Sequence, residues 1–438
     1  MNTPIFDFIR QYADSNTLRF HVPGHKGADI LGCERLDITE MSGADSLYEA
    51  EGIIRQSEEN ASFLFGCPTF YSTEGSSHCI RAMVYLAGLR AREQGRAPHI
   101  AAGRNAHKSF LSAIALTDTA VTWIYPENDT DYLSCNVTAE DILSLGDEIT
   151  AVYITSPDYL GNRVDIKSIA DACKRKNILL MVDNAHGAYL RFLPESEHPM
   201  DLGADMCCDS AHKTLPVLTG GAYLHIRDKE LSLMGKRALS LFGSTSPSYL
   251  IMASLDRANQ YLSGEYRERL SQTIEKISAC KNALKEQGYT LAGNEPLKIT
   301  IQAKKYGYTG NDLADILREK GIEVEFSDPD YVVMMLTTET TDNDIDYLSK
   351  IVEKIEKRAI ITITPPAVPR GKRGASVRDA IFSPCRSVAV QDAECCILAD
   401  MGVGCPPAVP IAVSGDIISS EAIECFRYYG IDTINVMR

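Results

Sequence analysis

The chain has 438 residues, 24% of them charged and 45% hydrophobic, which is typical of a soluble globular protein and excludes a disordered or collagen-like chain. Its 59 acidic residues outnumber 44 basic ones, and the net charge of −15 argues against nucleic acid or an anionic membrane surface as partner. No apolar run has the length of about eighteen residues that a transmembrane helix needs, and no secretory signal is visible. We expect a cytoplasmic protein.

The thirteen cysteines are scattered along the chain and contain no C-x-x-C pair. An odd number without framework spacing predicts free thiols in a reducing compartment. His21 and His25 are four residues apart, but Pro23-Gly24 between them prevents the helix that would place both on one face. We therefore expect no metal site.

The predicted elements begin after an irregular stretch of forty-odd residues. From about residue 60 to 230, helices alternate with short apolar strands, which predicts a mostly parallel sheet buried on both faces. One helix follows Gly75 and another surrounds Ile169 to Cys173. The predicted strands cover residues 99–102, 121–125, 149–155, 178–182 and 222–226.

A long helical stretch over 247–286 precedes a smaller α+β region. Its predicted elements are strands at 298–303, 322–326 and 331–337 and helices at 311–320 and 342–357. A proline-rich connector over 364–369 leads to a turn-rich tail. We predict an N-terminal arm over residues 1–50, which the resemblance given below places near a subunit interface. A large domain over 51–265 and a C-terminal region over 266–438 follow, and the latter includes a terminal subdomain over about 365–438.

Three features could carry chemistry at the ends of these strands. The strand over 178–182 ends in Asp183, Lys213 lies among Ser, His and Thr before another strand, and Gly75-Ser76-Ser77 opens a helix. A strand-end carboxylate, an amine and a helix N-terminus are together what pyridoxal phosphate requires. Alone, Lys213 is more often a surface residue, Asp183 is an ordinary helix cap about as often as not, and Gly75-Ser76-Ser77 is more often an ordinary N-cap. Phosphate-loop, dinucleotide, hydrolase-elbow and zinc-protease motifs are all missing from the sequence.

At these residues the chain resembles a known family, the bacterial ornithine, lysine and arginine decarboxylases of pyridoxal-phosphate fold type I. The resemblance runs from His21 to about residue 260 and returns near the C-terminus. The matching stretches are 21–27 (HVPGHKG), 37–40 (DITE), 104–109 (RNAHKS), 155–161 (TSPDYLG), 183–187 (DNAHG), 210–216 (SAHKTLP), 244–249 (STSPSY), 406–410 (PPAVP) and 414–416 (SGD). So many motifs in order are more specific than any one of them.

The resemblance implies an α/β fold: a large domain of the aspartate-aminotransferase type with a seven-stranded, mostly parallel sheet, and a smaller α+β C-terminal domain. It implies Lys213 as the Schiff-base lysine, Asp183 as the partner of the pyridinium nitrogen and His107 stacked on the ring. Proton donation to Cα would fall to His212 or Lys213. The other implied cofactor ligands are Ser76, Ser77, His186, Ser210, Thr245 and Ser246.

The substrate end departs from the family pattern. Asp416 aligns with a Glu associated with the distal cation of the substrate, and His25 is the second predicted substrate residue. Gly220 stands where Gln is usual, Asp158 where Thr is usual and Asn184 where Glu is usual; His78-Cys79 is also unusual. The first motif begins at His21, so we expect the short form without an extra N-terminal domain. Shared active sites imply at least a homodimer.

The leading hypothesis is decarboxylation of lysine, arginine or ornithine to the corresponding amine, as in polyamine metabolism. A second hypothesis keeps the cofactor but makes the protein an aminotransferase or an eliminating enzyme. An arginine from the small domain would then clamp the substrate carboxylate, and the candidates are Arg370, Arg373, Arg378 and Arg386. A third is a catalytically silent regulatory homologue, against which the presence of both Lys213 and Asp183 argues.

Overall fold

The computed structural model describes residues 1–127, 132–401, 404–405 and 409–438. It consists of two compact units that each combine two stretches of the chain. The first unit is Met1–Gln94 with Leu179–Leu270, and the second is Gly95–Ile178 with Ser271–Arg438. The domain boundaries given above stay a prediction.

The N-terminal stretch of the first unit is not wholly irregular, so that expectation is wrong for its first helix. Ile5, Ile9 and Ala13 form one buried stripe of this helix, and Asp256 accepts the backbone N–H groups of Ile5 and Phe6 at its start. The elements of this stretch are α1 (Pro4–Asp14), α2 (Ile53–Phe65), β1 (Thr69–Ser72) and α3 (Gly75–Glu93).

The second unit begins with alternating strands and helices. The three strands predicted here and the helix around Ile169 are confirmed, because buried parallel strands appear as continuous apolar runs. The elements are β2 (His99–Gly103), α4 (Lys108–Thr117), β3 (Ala120–Ile124), α5 (Ala139–Ser144), β4 (Ala151–Thr155) and α6 (Ile166–Lys176).

The chain then returns to the first unit as far as Leu270, which lies within the last helix named below. The predicted strands ending at Val182 and Ile226 are confirmed. The predicted helical stretch over 247–286 is also confirmed, and it consists of two helices separated at Ser263 and Gly264. The elements are β5 (Leu179–Asp183), α7 (Pro199–Leu202), β6 (Met206–Asp209), α8 (Ala211–Thr214), β7 (Ala222–Ile226), α9 (Lys229–Leu233), α10 (Gly235–Ser240), α11 (Tyr249–Leu262) and α12 (Tyr266–Glu286).

The rest of the second unit is the predicted smaller α+β part. The strand predicted over 322–326 is misplaced, since the ladder there starts at Phe326. The elements are β8 (Leu291–Ala292), β9 (Lys298–Gln302), α13 (Gly310–Glu319), β10 (Phe326–Ser327), β11 (Tyr331–Met335), α14 (Asp342–Val352), β12 (Lys372–Arg373), α15 (Val377–Phe382), β13 (Cys385–Ala389), β14 (Gly404–Cys405), β15 (Val409–Pro410), β16 (Asp416–Ile417), α16 (Ser420–Tyr428) and β17 (Thr433–Met437).

The main sheet has seven strands in the order β1-β7-β6-β5-β4-β2-β3. The ladders of β2 with β3 and β4 and of β5 with β6 are parallel, and those of β7 with β1 and β6 are antiparallel, so the predicted mostly parallel α/β sheet is confirmed. A four-stranded sheet, β10-β11-β9-β8, forms the smaller α+β part.

The topology of the first unit determines where its polar side chains meet. Because β1, β5 and β6 point the same way, their carboxyl ends lie at one edge of the sheet. The segments that leave this edge carry Ser76, Asp183 and Lys213. Within the described residues, no helix combines the length and apolar character needed to cross a bilayer.

Candidate active site

Lys213 lies on α8, a single helical turn that follows the end of β6. Its Nζ atom is 3.0 Å from Nε2 of His186, which lies in the turn after β5. His186 is buried and Lys213 is half-buried. The structure therefore brings together the predicted Schiff-base lysine and one of the predicted cofactor ligands.

Asp183 is the last residue of β5 and is 2% exposed. Its Oδ1 accepts the N–H of Ala185 at 3.2 Å and lies 3.6 Å from the thiol of Cys208 on β6. These contacts fix the orientation of a carboxylate at the end of a buried strand. That arrangement is the one required of a partner for a pyridinium nitrogen.

The start of α3 forms a cradle for an anion. This helix has 19 residues and no side-chain cap, and although the N–H of Gly75 donates to the carbonyl of Gly220, the dipole at the helix start favours an anion. Ser210 Oγ donates to Ser76 Oγ at 2.8 Å, so two predicted phosphate ligands are in contact. Ser77 is half-buried on the same first turn.

His78 anchors this cradle, a role that the sequence did not assign. Its ring nitrogens contact Ser72 Oγ at 2.8 Å and the carbonyl of Leu239 at 2.7 Å. A carbonyl can only accept, so Nε2 of His78 carries a proton and donates to Leu239. Burial lowers the pKa of His78. The only signal in the sequence was that His78 is unusual for the family.

His212 is oriented by the strand that follows it. Its Nδ1 lies 3.0 Å from the carbonyl of Gly221, which also accepts the backbone N–H of His212. A carbonyl can only accept, so Nδ1 carries a proton and the orientation of the ring is set.

The remaining predicted residues of the first unit lie in its loops. Thr245 and Ser246 are exposed, and the loop is held by Ser244, whose N–H donates to Glu74 at 2.6 Å. His25 Nδ1 accepts the N–H of Gly27, and its Nε2 is 3.2 Å from Asp37. These two contacts tie His25 to its own N-terminal segment.

In the second unit, His107 and Arg104 follow the end of β2. His107 caps α4 by accepting the N–H of Ser109 at 3.1 Å, which fixes its ring. The buried Arg104 guanidinium donates to the carbonyls of Pro410 and Ile411 at 2.7 and 2.8 Å. Residues 406–408 of the predicted proline signature, Pro406 among them, lie outside the described residues.

Asp416 is buried, and its Oδ2 accepts the N–H of Val413 at 3.2 Å. Arg373 Nε lies 3.6 Å from its Oδ1. Burial raises the pKa of Asp416, against the opposing effect of Arg373 and Arg104. Asp416, the predicted partner of the distal cation of the substrate, thus already lies next to the guanidinium of Arg373.

Asp158 is also buried and contacts its surroundings in the second unit. It accepts the backbone and side-chain N–H groups of Asn162 at 2.9 and 3.0 Å, and Lys298 donates to its carbonyl at 3.0 Å. Burial raises its pKa. Sequence reasoning missed the role of Lys298, because this pairing joins residues 140 positions apart.

The donors of the first unit fit pyridoxal phosphate. An uncapped helix start with contacting serine hydroxyls suits a phosphate dianion, and the carboxylate of Asp183 suits a protonated ring nitrogen. The amine of Lys213 lies beside an imidazole that can exchange a proton with it.

Comparisons with known proteins identify the family of the chain. A profile of the Orn/Lys/Arg decarboxylase major domain matches residues 3–300. The arginine decarboxylase of Halalkalibacterium halodurans is 29% identical over 97% of this chain and 93% of its own. That of Bacillus subtilis is 30% identical over 96% and 92%.

Two solved structures extend the comparison to the fold. The lysine decarboxylase of Francisella novicida gives a TM-score of 0.79 at 16% identity, covering 100% of this chain and 81% of its own. Lysine decarboxylase A of Pseudomonas aeruginosa gives 0.78 at 16%, covering 99% and 80%. The profile covers well over half of the chain. The chain therefore belongs to the ornithine, lysine and arginine decarboxylase family, whose members are pyridoxal-phosphate-dependent enzymes.

Proposed function

We propose that this enzyme decarboxylates arginine, in preference to lysine or ornithine. The observation that carries the reaction is the pairing of Lys213 with His186 at the strand edge where Asp183 ends β5. The preference for arginine is supported by the curated relatives in Halalkalibacterium and Bacillus, which are named arginine decarboxylases and match nearly their whole length.

Each residue of the first unit has one task in this proposal. Pyridoxal phosphate supplies the electron sink for the bond between Cα and the departing carboxylate. Asp183 keeps the ring nitrogen protonated, and Ser76, Ser210 and the start of α3 bind the phosphate. His212 or Lys213 returns a proton to Cα after CO2 has left. His186, Ser77, Thr245 and Ser246 complete the predicted cofactor ligands of this unit, and His107 of the second unit is proposed to stack on the ring.

Asp416 is proposed to bind the distal guanidinium of the substrate, and His25 is the second proposed substrate residue. The nearby Arg373 must then share the carboxylate, and the separation of 3.6 Å leaves their ion pair loose. We expect Asp416→Asn to raise KM for the preferred substrate about tenfold or more while kcat changes less, because a buried charge pair is lost. An unchanged KM in steady-state kinetics would remove Asp416 from the substrate site.

The enzyme is proposed to work in the cytoplasm as a homodimer or larger homo-oligomer with shared active sites. Twelve cysteines of the described residues are free, as a reducing compartment favours. Large apolar side chains in the N-terminal segment are strongly exposed, including Phe20 at 90% and Leu31 at 84%, which favours a covering subunit. Sedimentation of the purified protein tests the oligomer.

The deciding experiment measures CO2 release from carboxyl-labelled arginine, lysine and ornithine by the purified protein with pyridoxal phosphate. We expect release from arginine above the other two. The Lys213→Ala variant should release no CO2 and should lose the visible absorption of lysine-linked cofactor. If wild type binds the cofactor but releases CO2 from none of the three, the proposed reaction is wrong and transamination or elimination is tested next.

A further inference from the structure

A cluster of two histidines and one aspartate lies inside the first unit, beneath the strand edge described above. Nε2 of His198 and Nε2 of His225 lie 3.0 and 3.1 Å from the same Oδ2 atom of Asp209. All three side chains have no exposed surface. A carboxylate in such surroundings requires a compensating charge or full hydrogen bonding.

The hydrogen bonds around the two rings assign their protons. His198 Nδ1 accepts the N–H of Met200, so the proton of His198 lies on Nε2 and points at Asp209. Thr69 donates its hydroxyl hydrogen to the carbonyl of Cys67 at 3.0 Å and must therefore accept from Nδ1 of His225 at 2.9 Å. Both nitrogens of His225 then donate, which makes His225 an imidazolium paired with Asp209.

The electrostatic surroundings agree with this charged pair. Burial by itself would raise the pKa of Asp209, but His198 and His225 bring it well below its usual range. Burial would lower the pKa of His225, but Asp209 raises it above its usual value. The geometry and the charges therefore describe the same protonation state.

The second oxygen of Asp209 reaches the neighbouring strand. Asn184 Nδ2 donates to Asp209 Oδ1 at 2.7 Å, and the backbone N–H of Asn184 donates to the carbonyl of Cys208 at 3.0 Å. Asn184 directly follows Asp183, and Asp209 directly precedes Ser210, which starts the turn carrying Lys213. The Asp209 carboxylate thus joins the end of β5, which carries Asp183, to the end of β6, after which the turn with Lys213 begins.

This contact also accounts for Asn184, where the family usually has Glu. An acid at 184 would place a second carboxylate against Asp209 in a buried site, where like charges repel strongly. The amide supplies a donor instead. In this chain the carboxylate between the ends of β5 and β6 is therefore that of Asp209 on β6.

We propose that Asp209 is a positioning residue, whose carboxylate, bound by the His225 imidazolium and the Asn184 amide, holds Asp183 and the Lys213 turn in their relative positions for the cofactor. The proposal rests on the cofactor roles proposed for Asp183 and Lys213. His198, Cys207 and Asp209 also offer ligand atoms within 4.8 Å of one another, as a metal site would. Yet each ring nitrogen of His198 and His225 already has a hydrogen-bond partner, so the proton network explains the cluster.

The test compares Asp209→Asn with a matched control at the opposite ends of the same two strands. There Asp205 accepts the N–H of Leu180 at 2.7 Å, so Asp205→Asn also removes a carboxylate that ties β5 to β6. We expect both variants to lower the thermal midpoint of the apoprotein. Only Asp209→Asn should weaken pyridoxal phosphate binding, roughly tenfold or more, and shift the visible absorption of the bound cofactor and its pH titration.

An exchange of the two side chains supplies the rescue. In Asn184→Asp/Asp209→Asn a carboxylate and an amide again face each other, so the cofactor affinity should recover relative to Asp209→Asn, whereas Asn184→Asp alone should bind worst. Should Asp209→Asn fail to fold, His225→Gln is measured in its place, with the same shifts expected.

Three results would overturn the proposal. The first is wild-type cofactor affinity and spectrum in Asp209→Asn, and the second is an exchange variant no better than that single variant. The third is one equivalent of tightly held metal in the wild type that Asp209→Asn lacks. None of these readouts depends on turnover, so they stand whether or not any amino acid is decarboxylated. Loss of the proposed function itself would show in the CO2 assay.

Discussion

Gly220 occupies a position that no other residue can hold without moving the phosphate cradle. Its φ is +98°, and its carbonyl accepts the N–H of Gly75 at 2.7 Å. A Cβ atom at 220 would lie 2.7 Å from the carbonyl oxygen of Thr73, closer than real Cβ contacts allow. The Gln that the family usually carries here therefore does not fit this backbone.

The size of the effect of Gly220→Ala follows from these two conflicts. The left-handed backbone costs about 1–2 kcal/mol, and relief of the contact with Thr73 costs about 1–3 kcal/mol more. Together the two costs are about 3 kcal/mol. If about half of this free energy goes into displacing Gly75 and Ser76 from the positions that bind phosphate, pyridoxal phosphate should bind roughly tenfold more weakly.

The assay is equilibrium titration of the apoprotein with pyridoxal phosphate, followed by absorbance. Gly95→Ala is the matched control, because Gly95 has φ +70° but no atom of the described residues within 4 Å of the place that a Cβ atom would take. The Gly95→Ala variant has the same cost of a left-handed backbone but leaves the start of α3 unchanged, so its cofactor affinity should equal that of the wild type. A Gly220→Ala affinity within about twofold of the wild type would refute the reasoning.

Two further predictions concern buried polar groups. Burial raises the pKa of Asp256 to about 6, above the ordinary value of 3.8, so its contribution to stability is complete below pH 4 and lost as the pH rises through 6. We compare the free energy of unfolding in urea of the wild type with that of Asp256→Asn. The difference, wild type minus variant, should fall by up to about 3 kcal/mol between pH 4 and 7, and a constant or rising difference would contradict the prediction. Arg104→Met should leave the carbonyls of Pro410 and Ile411 unpaired at a cost of about 3 kcal/mol and speed hydrogen exchange over 409–416, whereas unchanged exchange would show that Arg104 does not hold this segment.

The sequence predicted the sheet where strands are continuous apolar runs. It did not predict β1 and β6, since β1 is the mixed segment Thr69–Ser72 and β6 consists of four residues of which the last is charged. The ladder of β13 with β17 joins residues nearly fifty positions apart, and β13 is largely exposed, so neither hydrophobic pattern nor turn chemistry indicates it.

The residues of the candidate site likewise include some that the sequence could predict and some that it could not. Asp183, Lys213 and the serines of the cradle are predictable because they follow strand ends in one stretch of sequence each. The cluster of Asp209, His198 and His225 is not, because it depends on the lateral order of strands and on the register that sets Cys207 opposite His225. A single histidine within an apolar strand has the same appearance in a sequence whether it is buried and charged or merely exposed.

The departures from the family pattern acquire different meanings once their contacts are known. Gly220 is explained by its backbone conformation and Asn184 by its bond to Asp209, and both concern how the cofactor cradle is built. Asp158 is engaged by Asn162 within the second unit. Asp416 differs from these three, because its main ionic neighbour, Arg373, is the kind of group that a basic substrate would bring. Substrate preference is therefore best tested at Asp416 and Arg373 together. Arg373→Met should lower KM for a basic substrate, because the Asp416 carboxylate loses its competing partner. An unchanged KM would show that this ion pair takes no part in substrate binding.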